Sequence, residues 1–417
     1  MTTPDCCDPG TGGSHLLPWR QALDLMVKSL GPISEVEEVP TAAGLGRVLA
    51  APVDSTIEVP GWDNSAMDGY ACRHADLAAQ GGRLRVSQRI PAGTTGTHLE
   101  PGTAARIFTG APIPPGADTV VMQEVCQVSG DQVLIPLDVQ AGANIRRIGE
   151  DIRAGRQVIA TGTRLGPQHL GLAAAVGVPR LHVYRRLRVA VLASGNELVT
   201  PGEPLGPGQI YNSNRFTLLG LLQGLGCEIL DLGIIPDTRE ATLAALGRGA
   251  READLIVASG GVSVGEEDHL KPAVEQLGHL DLWRLAIRPG KPVAYGRVDQ
   301  TPFFGSPGNP VSLFVTFCLL ARPLVLRLQG VSADPQPLAY PLRAGFDWPK
   351  PDKRTEFHRA RLQRGEDGEP EVVVFPSRSS AVLSSVAWAD GLVELPAGRV
   401  IRRGELVSYL PFSALLG

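Results

Sequence analysis

"ADLIVASGGVSVGEEDHLK", residues 253–271, decides how the middle of this chain is read. Leu255 to Ala258 is a continuous apolar run, the signature of a strand covered on both faces rather than half-exposed. Ser259, Gly260 and Gly261 then break it, and a short helical pattern starts near Leu270. Glycines let a backbone come close to a ligand, and successive exposed N–H groups attract anions. Yet Glu266, Glu267 and Asp268 follow at once, and carboxylates repel anions. A ligand that satisfies both brings its own phosphate together with a divalent cation.

Working outward, the same rhythm repeats. "LRVAVLAS" (187–194) and "CEILDLGII" (227–235) read as strands, and "NRFTLLGLLQGLG" (214–226) reads as a helix. In that helix Leu218, Leu221, Leu222 and Leu225 share a face, Asn214 suits the N-cap and Gly226 the stop. "TREATLAALGRGAREA" (238–253) and "HLKPAVEQLG" (269–278) are further helices. "LWRLAI", "PVAYGRV" and "TPFFG" are strands, and "PVSLFVTFCLLARPLVLRL" (310–328) is a final helix. Strands alternating with helices predict a doubly wound, parallel α/β sheet over 183–332.

In such sheets ligands bind beyond the carboxyl ends of the strands, near a switch in strand order. Three strands end in special turns: "ASGNEL" (193–198), "SGGVSVGEED" (259–268) and "GSPGNP" (305–310). The candidate ligand-binding residues are therefore Ser259, Gly260, Gly261 and Ser263, with Ser306, Pro307, Gly308, Asn309 and Pro310. Asn309 suits a cap and Pro310 the first helical position, so free N–H groups and the positive helix end would face the crevice. Glu197, Asp237 and Asp268 are candidate ligands for Mg²⁺, which prefers oxygen donors. Asp237 has a competing role as a helix cap, since Glu240 follows at capping-box spacing. Arg284, Arg288 and Lys291, in "WRLAIRPGKP", would clamp a phosphate or small oxyanion; strand alternation would put the two arginines on one face.

The flanks differ. Residues 1–15 read as a disordered tail. "LPWRQALDLMVKSL" (17–30) and "RLGPQHLGLAAAVGV" (164–178) have helical spacing, so 16–54 and 152–182 form a linker and helical unit whose two helices would pack together. Residues 55–151 carry short strands cut by Gly and Pro, and predict a β-rich domain. Three of its loops, 59–71, 108–118 and 144–152, are unusually polar; turn chemistry and ligand contact both explain that. Residues 333–417 read as a terminal β domain, either a small barrel or a sandwich.

Bulk properties narrow the classes. The chain has 417 residues and a formal net charge of −4, with no long basic run. That excludes the usual footprint of nucleic-acid binding. No cysteine pair or Cys/His cluster has zinc spacing, Cys227 and Cys318 read as buried thiols, and no secretory pattern is visible. No apolar stretch approaches the ~20 residues of a membrane span. A cytoplasmic, reduced protein is expected.

"PGWDNSAMDGYA", "FTGAPIPPGADTVVMQE", "NIRRIGEDI", "GQIYNSNR", "SGGVSVGEEDH", "AIRPGKP" and "GSPGNPVS", in that order, resemble the molybdopterin molybdenumtransferase family. This is the MoeA type, also found as the C-terminal part of gephyrin. The resemblance runs from about residue 17 to the C-terminus. It implies an L-shaped homodimer of four-part subunits that inserts molybdate into adenylylated molybdopterin with Mg²⁺, releasing AMP. It places the family's acidic positions on Asp68, Asp151, Glu197, Asp237 and Asp268, its threonine on Thr109, and a basic position on Arg146. Asp68, Thr109 and Asp151 would complete a composite site in the crevice of the other subunit. A molybdopterin adenylyltransferase and chaperones of molybdenum enzymes are the partners implied. Departures are Asn196 where many relatives have Asp, Arg284 and Arg288 where some have Lys, and Ser306 where Leu is common. Two other readings stand beside this one. A molybdopterin adenylyltransferase shares the α/β domain but lacks the two β-rich regions, and a gephyrin-like scaffold would bind partners without chemistry.

Overall fold

The computed structural model describes residues 16–261, 269–334 and 336–416. Its centre is a six-stranded sheet. The strands are β1 (Arg188–Ser194), β2 (Glu228–Ile235), β3 (Leu255–Ser259), β4 (Gly278–Arg284), β5 (Pro292–Val298) and β6 (Thr301–Ser306). They lie in the order β2-β1-β3-β6-β5-β4. β2, β1, β3 and β6 are mutually parallel, whereas β5 runs antiparallel to both β6 and β4. The sheet is thus mixed, not wholly parallel: no helix separates β4, β5 and β6, and tight connections can only join antiparallel neighbours.

The helices of this domain are α1 (Ser213–Gly224), α2 (Arg239–Glu252), α3 (Leu270–Leu277), α4 (Pro310–Thr316) and α5 (Arg322–Leu328). Alternate residues of β1 serve two different cores. Val189 and Val191 pack with Leu218 and Leu222 of α1 and with α4 and α5. Ala190 and Leu192 pack with Leu246 of α2 and with Ala273 and Val274 of α3. That period of two, with apolar residues on both sides, is why the strand reads as unbroken hydrophobic sequence. Each fully buried leucine contributes about 2 kcal/mol relative to exposure.

α4 and α5 join through a π-helical turn, Phe317–Ala321, into one 19-residue helix, Pro310–Leu328. It is long and apolar enough to cross a membrane by length and composition alone, so the expectation that no apolar stretch approaches that length is corrected. It is 94% buried inside the protein. A helix apolar on all sides is accommodated here as the central core helix.

The N-terminal helix Trp19–Lys28 belongs to the same core through Trp19, Leu23 and Met26. Helix Pro167–Ala175 does not pack against it as expected; it sits in a separate cluster with Leu49, Leu165, Leu181 and Val183. That cluster joins two antiparallel ribbons, Val36–Pro40 with Arg180–Tyr184 and Val53–Asp54 with Gln157–Ile159. The unit is therefore more ribbon than helix.

The β-rich domain is a six-stranded sheet in the order 119–122, 69–72, 103–107, 83–90, 132–134, 127–129. The terminal domain is a closed barrel. Thr355–Arg364 pairs with both Pro370–Val374 and Gly391–Leu395, and Tyr340–Ala344 and Leu406–Pro411 complete the circuit. Closure removes free edges, the main hazard of a small β domain. A short segment from the α/β domain, Ile287–Arg288, adds to the barrel beside Thr355 and Glu356.

Candidate active site

The parallel strands β2, β1, β3 and β6 are adjacent, so their carboxyl ends form one rim. Strand order reverses between β1 and β3, with α1 leading to one side and α2 returning to the other. This is the switch point where open α/β sheets bind ligands.

The rim is knitted by its own turns. Gly260 N donates to Ser306 O at 3.1 Å, linking the turns after β3 and β6. Gly260 and Gly261 have φ of +82° and +68°, a left-handed pair that other residues adopt at a cost. A Cβ on Gly260 would also lie 3.1 Å from Ser194 O. Asn214 Nδ2 donates to Ser259 Oγ (3.0 Å) and to Gly308 O (2.7 Å), tying α1 to both turns. Asn214 is therefore not the N-cap. Asn212 is, accepting from Arg215 N. Among the described residues, Asn214 Oδ1, Asn212 Nδ2 and Ser306 Oγ are buried without a hydrogen-bond partner. Buried polar atoms are seldom left so, and three on one rim mark a place where a ligand supplies the missing groups.

Glu197 is exposed at the end of β1. Asp237, just past β2, accepts a long 3.4 Å bond from Ser194 Oγ. The cap reading of Asp237 is ruled out: Thr238 caps α2, its side chain accepting from Ala241 N. Asp237 is thereby left to the crevice. Ser263, Glu266, Glu267 and Asp268 lie outside the described residues.

At the third turn Pro307 and Ser306 are buried, while Gly308 and Asn309 are exposed. Asn309 occupies the cap position of α4 without a capping bond from its side chain. The helix start is also less free than expected, because Val311 N donates to Ser380 O at 3.0 Å. The terminal domain thus reaches the rim. Its Arg359, fully buried, donates through Nε to Ser385 Oγ (2.8 Å) and through Nη2 to Ser377 O (2.5 Å), holding the 377–380 loop there. Arg359 Nη1 has no hydrogen-bond partner among the described residues.

The basic candidates separate. β4 ends at Arg284, which is exposed, and Arg288 lies in its own short strand, so they share no strand face. Lys291 is exposed. Arg288 Nη1 pairs with Asp352 Oδ2 at 2.9 Å. Asp352 also takes Arg354 Nε at 3.1 Å. The Arg354 guanidinium first, then Arg288, holds the Asp352 carboxyl at about 2, below the usual carboxylate range. Arg288 is thus neutralised in part before any ligand arrives.

The β-rich domain carries a second set. Asp68 Oδ1 accepts from Thr109 N and Thr109 Oγ1, both at 2.7 Å. The amide bond first, then the hydroxyl, keeps its carboxyl below the ordinary value. Asp63 takes Ile148 N (2.8 Å) and Arg147 Nη1 (2.6 Å), a turn-building role for the 144–152 loop. Arg146 and Asp151 are exposed on that loop. Among the described residues no hydrogen bond or ion pair joins Asp68, Thr109, Arg146 or Asp151 to the strand-end rim. Within one chain the two sets of candidate residues stay apart.

Sequence reasoning missed Asn214, Asp352, Arg359 and Ser380. Only Arg359 left a signal, a charge inside "EFHRA", where strand burial is continuous from Glu356 to Ala360.

Known proteins share this plan. Residues 17–177 match the family described as MoeA N-terminal region (domain I and II). Residues 190–327 match the probable molybdopterin binding domain, and 341–412 the MoeA C-terminal region (domain IV). A molybdopterin molybdenumtransferase of Haemophilus influenzae is 39% identical over 405 residues, 96% of this chain and 100% of that one. One from Nostoc is 36% identical, covering 93% of this chain and 91% of its own. A crystal structure of a molybdopterin biosynthesis MoeA protein from Pyrococcus horikosii superposes with a TM-score of 0.77 at 34% identity, covering 95% of this chain and 99% of that one. Since likeness of this extent spans every domain, the chain belongs to the molybdopterin molybdenumtransferase family.

Proposed function

We propose that this protein inserts molybdenum, taken from molybdate, into adenylylated molybdopterin, releasing AMP and leaving molybdenum cofactor. The observation that carries the reading is the strand-end rim, where left-handed glycines and three unpartnered buried polar atoms sit beside carboxylates. Relatives bearing the transferase name over the whole chain support it. An adenylyltransferase would explain the α/β domain alone and leave Asp68 and Thr109 without a task. A scaffold would leave the rim without one.

Backbone amides of the turns after β1, β3 and β6 would receive phosphate and pterin, with Ser259, Gly260, Gly261, Ser306, Pro307, Gly308, Asn309 and Pro310 as lining. Asn214 Oδ1 would accept from a ligand N–H. Arg284 and Lys291 would meet anionic oxygens, and Arg288 would do so in competition with Asp352. The protein's work is positioning and neutralising charge, as in phosphoryl transfer generally.

Mg²⁺ fits this donor set. Among the described residues no cluster of three His, Cys, Asp or Glu groups forms a protein-only metal site. Mg²⁺ is usually held by one or two carboxylates plus substrate phosphates, and Glu197 and Asp237 are carboxylates of that kind. When bound it would neutralise charge on the phosphoryl group leaving with AMP. Asp268 remains a third candidate ligand.

We further propose a homodimer in which Asp68, Thr109, Arg146 and Asp151 of one subunit close the rim of the other. The separation of the two half-sites within one chain supports this. The four described cysteines are free thiols, which suits a cytoplasmic setting. An upstream adenylyl transfer must supply the substrate.

The test combines purified protein, adenylylated molybdopterin, molybdate and Mg²⁺. AMP release together with active cofactor is the expected result. Consumption of ATP with molybdopterin in its place would favour the adenylyltransferase, and no turnover at all the scaffold.

A further inference from the structure

We propose that Arg89, with Arg106 and Phe108, forms an oxyanion-binding shelf beside Asp68 and Thr109. The shelf rests on the insertion reading only for which anion it receives.

Strand Arg83–Ile90 runs parallel to Thr103–Ile107, and its register slips between Val86 and Gln88. Arg85 stands opposite Thr103, but Arg89 stands opposite Arg106. Thr103 and Arg106 are three residues apart and so project to opposite faces. Without the slip, Arg89 would share the face of Arg83 and Arg85. With it, Arg89 joins Arg106 on the face of Tyr70, whose ring lies 5.4 Å from the Arg106 guanidinium.

The two guanidiniums converge on one ring. Each guanidinium carbon is 4.5 Å from the centroid of Phe108, the residue before Thr109. Arg106 is fixed by Gly69 O (2.9 Å), Ile107 O (3.1 Å) and the Gln123 side chain. Arg89 is exposed, and its side chain makes no hydrogen bond or ion pair with the described residues. A guanidinium stacked on an aromatic face is pre-oriented and keeps its N–H fork free for an oxyanion.

Like charges directly opposite on neighbouring strands destabilise a sheet. Among the described residues neither arginine has a carboxylate in an ion pair to relieve this. Asp68, whose carboxyl is lowered chiefly by the Thr109 amide, feels Arg106 as a further positive charge. A bound anion would relieve the repulsion where the Asp68–Thr109 half-site begins. The ligand chemistry is a tetrahedral oxyanion bound bidentately. The reaction offers two sources, the phosphate of the adenylate and molybdate itself.

The test is Arg89→Gln in the full-length protein, with KM measured separately for adenylylated molybdopterin and for molybdate. One KM should rise about tenfold, the scale of one lost charge-assisted contact at an exposed site, with kcat and melting temperature near wild type. A rise for adenylylated molybdopterin identifies phosphate; a rise for molybdate identifies molybdate. Arg89→Lys should recover part of the loss, since it restores charge without the fork. Arg83→Gln, on the opposite face, should change neither KM. Calorimetric titration with AMP alone and molybdate alone reads the same loss without turnover. Both KM values within twofold of wild type, or equal anion binding by wild type and Arg89→Gln, would overturn the shelf while leaving wild-type turnover, and so the insertion reading, intact. A wild-type protein that binds AMP and molybdate but releases no AMP from adenylylated molybdopterin would overturn insertion instead.

Discussion

Replacing Asn214 with alanine should disable the crevice without unfolding the protein. Asn214 Nδ2 bridges Ser259 Oγ at 3.0 Å and Gly308 O at 2.7 Å, and no other side chain among the described residues spans both turns. Each neutral hydrogen bond has a net worth of about 1 kcal/mol, so the pair holds the rim together by about 2 kcal/mol. That is roughly a 30-fold bias toward the aligned arrangement. The loss is local, because α1 keeps its Asn212 cap and its Leu218 and Leu222 packing. The alanine variant should therefore lose between about twofold, if the aligned state stays half populated, and about 30-fold, if the misaligned state takes over, in kcat/KM for adenylylated molybdopterin, with little change in melting temperature. Asn214→Asp should be worse, since a carboxylate would face Gly308 O and any bound phosphate. The assay is AMP release across a range of substrate concentrations. Wild-type kcat/KM in Asn214→Ala would refute the idea that this amide organises the site.

Asp352→Asn should loosen the barrel from the 286–288 segment and lower resistance to denaturant at neutral pH. Because the folded pKa of Asp352, about 2, lies below the ordinary carboxylate value, its ion pairs stabilise fully above about pH 4 and fade as pH falls toward 2; the gap between wild type and variant should shrink over that range, and a gap that widens would contradict the pairing. Gly195→Ala should impair turnover more than stability. Gly195 has φ of +151° and an added Cβ would meet the Glu197 carboxylate at 2.6 Å, so the Glu197 side chain must move; an unaltered KM and kcat would remove Glu197's placement from the account. Chelation of divalent cations should stop AMP release and added Mg²⁺ should restore it, whereas turnover undiminished in chelator would contradict the charge argument.

The α/β domain was legible because its information is local. Period-two burial in β1, leucine spacing in α1 and the glycine pair after β3 are each contained within a dozen residues. What escaped the sequence depends on residues that are distant along the chain. Asn214 meets Gly308 across 94 positions, and Arg288 meets Asp352 across 64. Neither contact leaves a periodic trace. Asn214 was read as a cap because its neighbourhood suits one, and only the structure shows Asn212 doing that work. The slip after Val86 is similarly silent: "RLRVSQRI" alternates smoothly in the sequence, yet its arginines divide between two faces. The antiparallel course of β5 followed from short connections that the alternation rule passed over. The extent of Pro310–Leu328 was legible, but Arg322 and Arg327 interrupt its apolar run and hid how nearly it matches a membrane span; burial on almost every side explains its composition.

The central claim is that each working site needs the rim of one subunit and the Asp68 half-site of another. Asp68→Asn and Asp237→Ala variants, each inactive alone, should be co-expressed and assayed as a mixture. Random pairing makes about half the dimers mixed, each with one intact site of two, so about a quarter of wild-type AMP release should return. A mixture no more active than either variant alone would contradict the shared site.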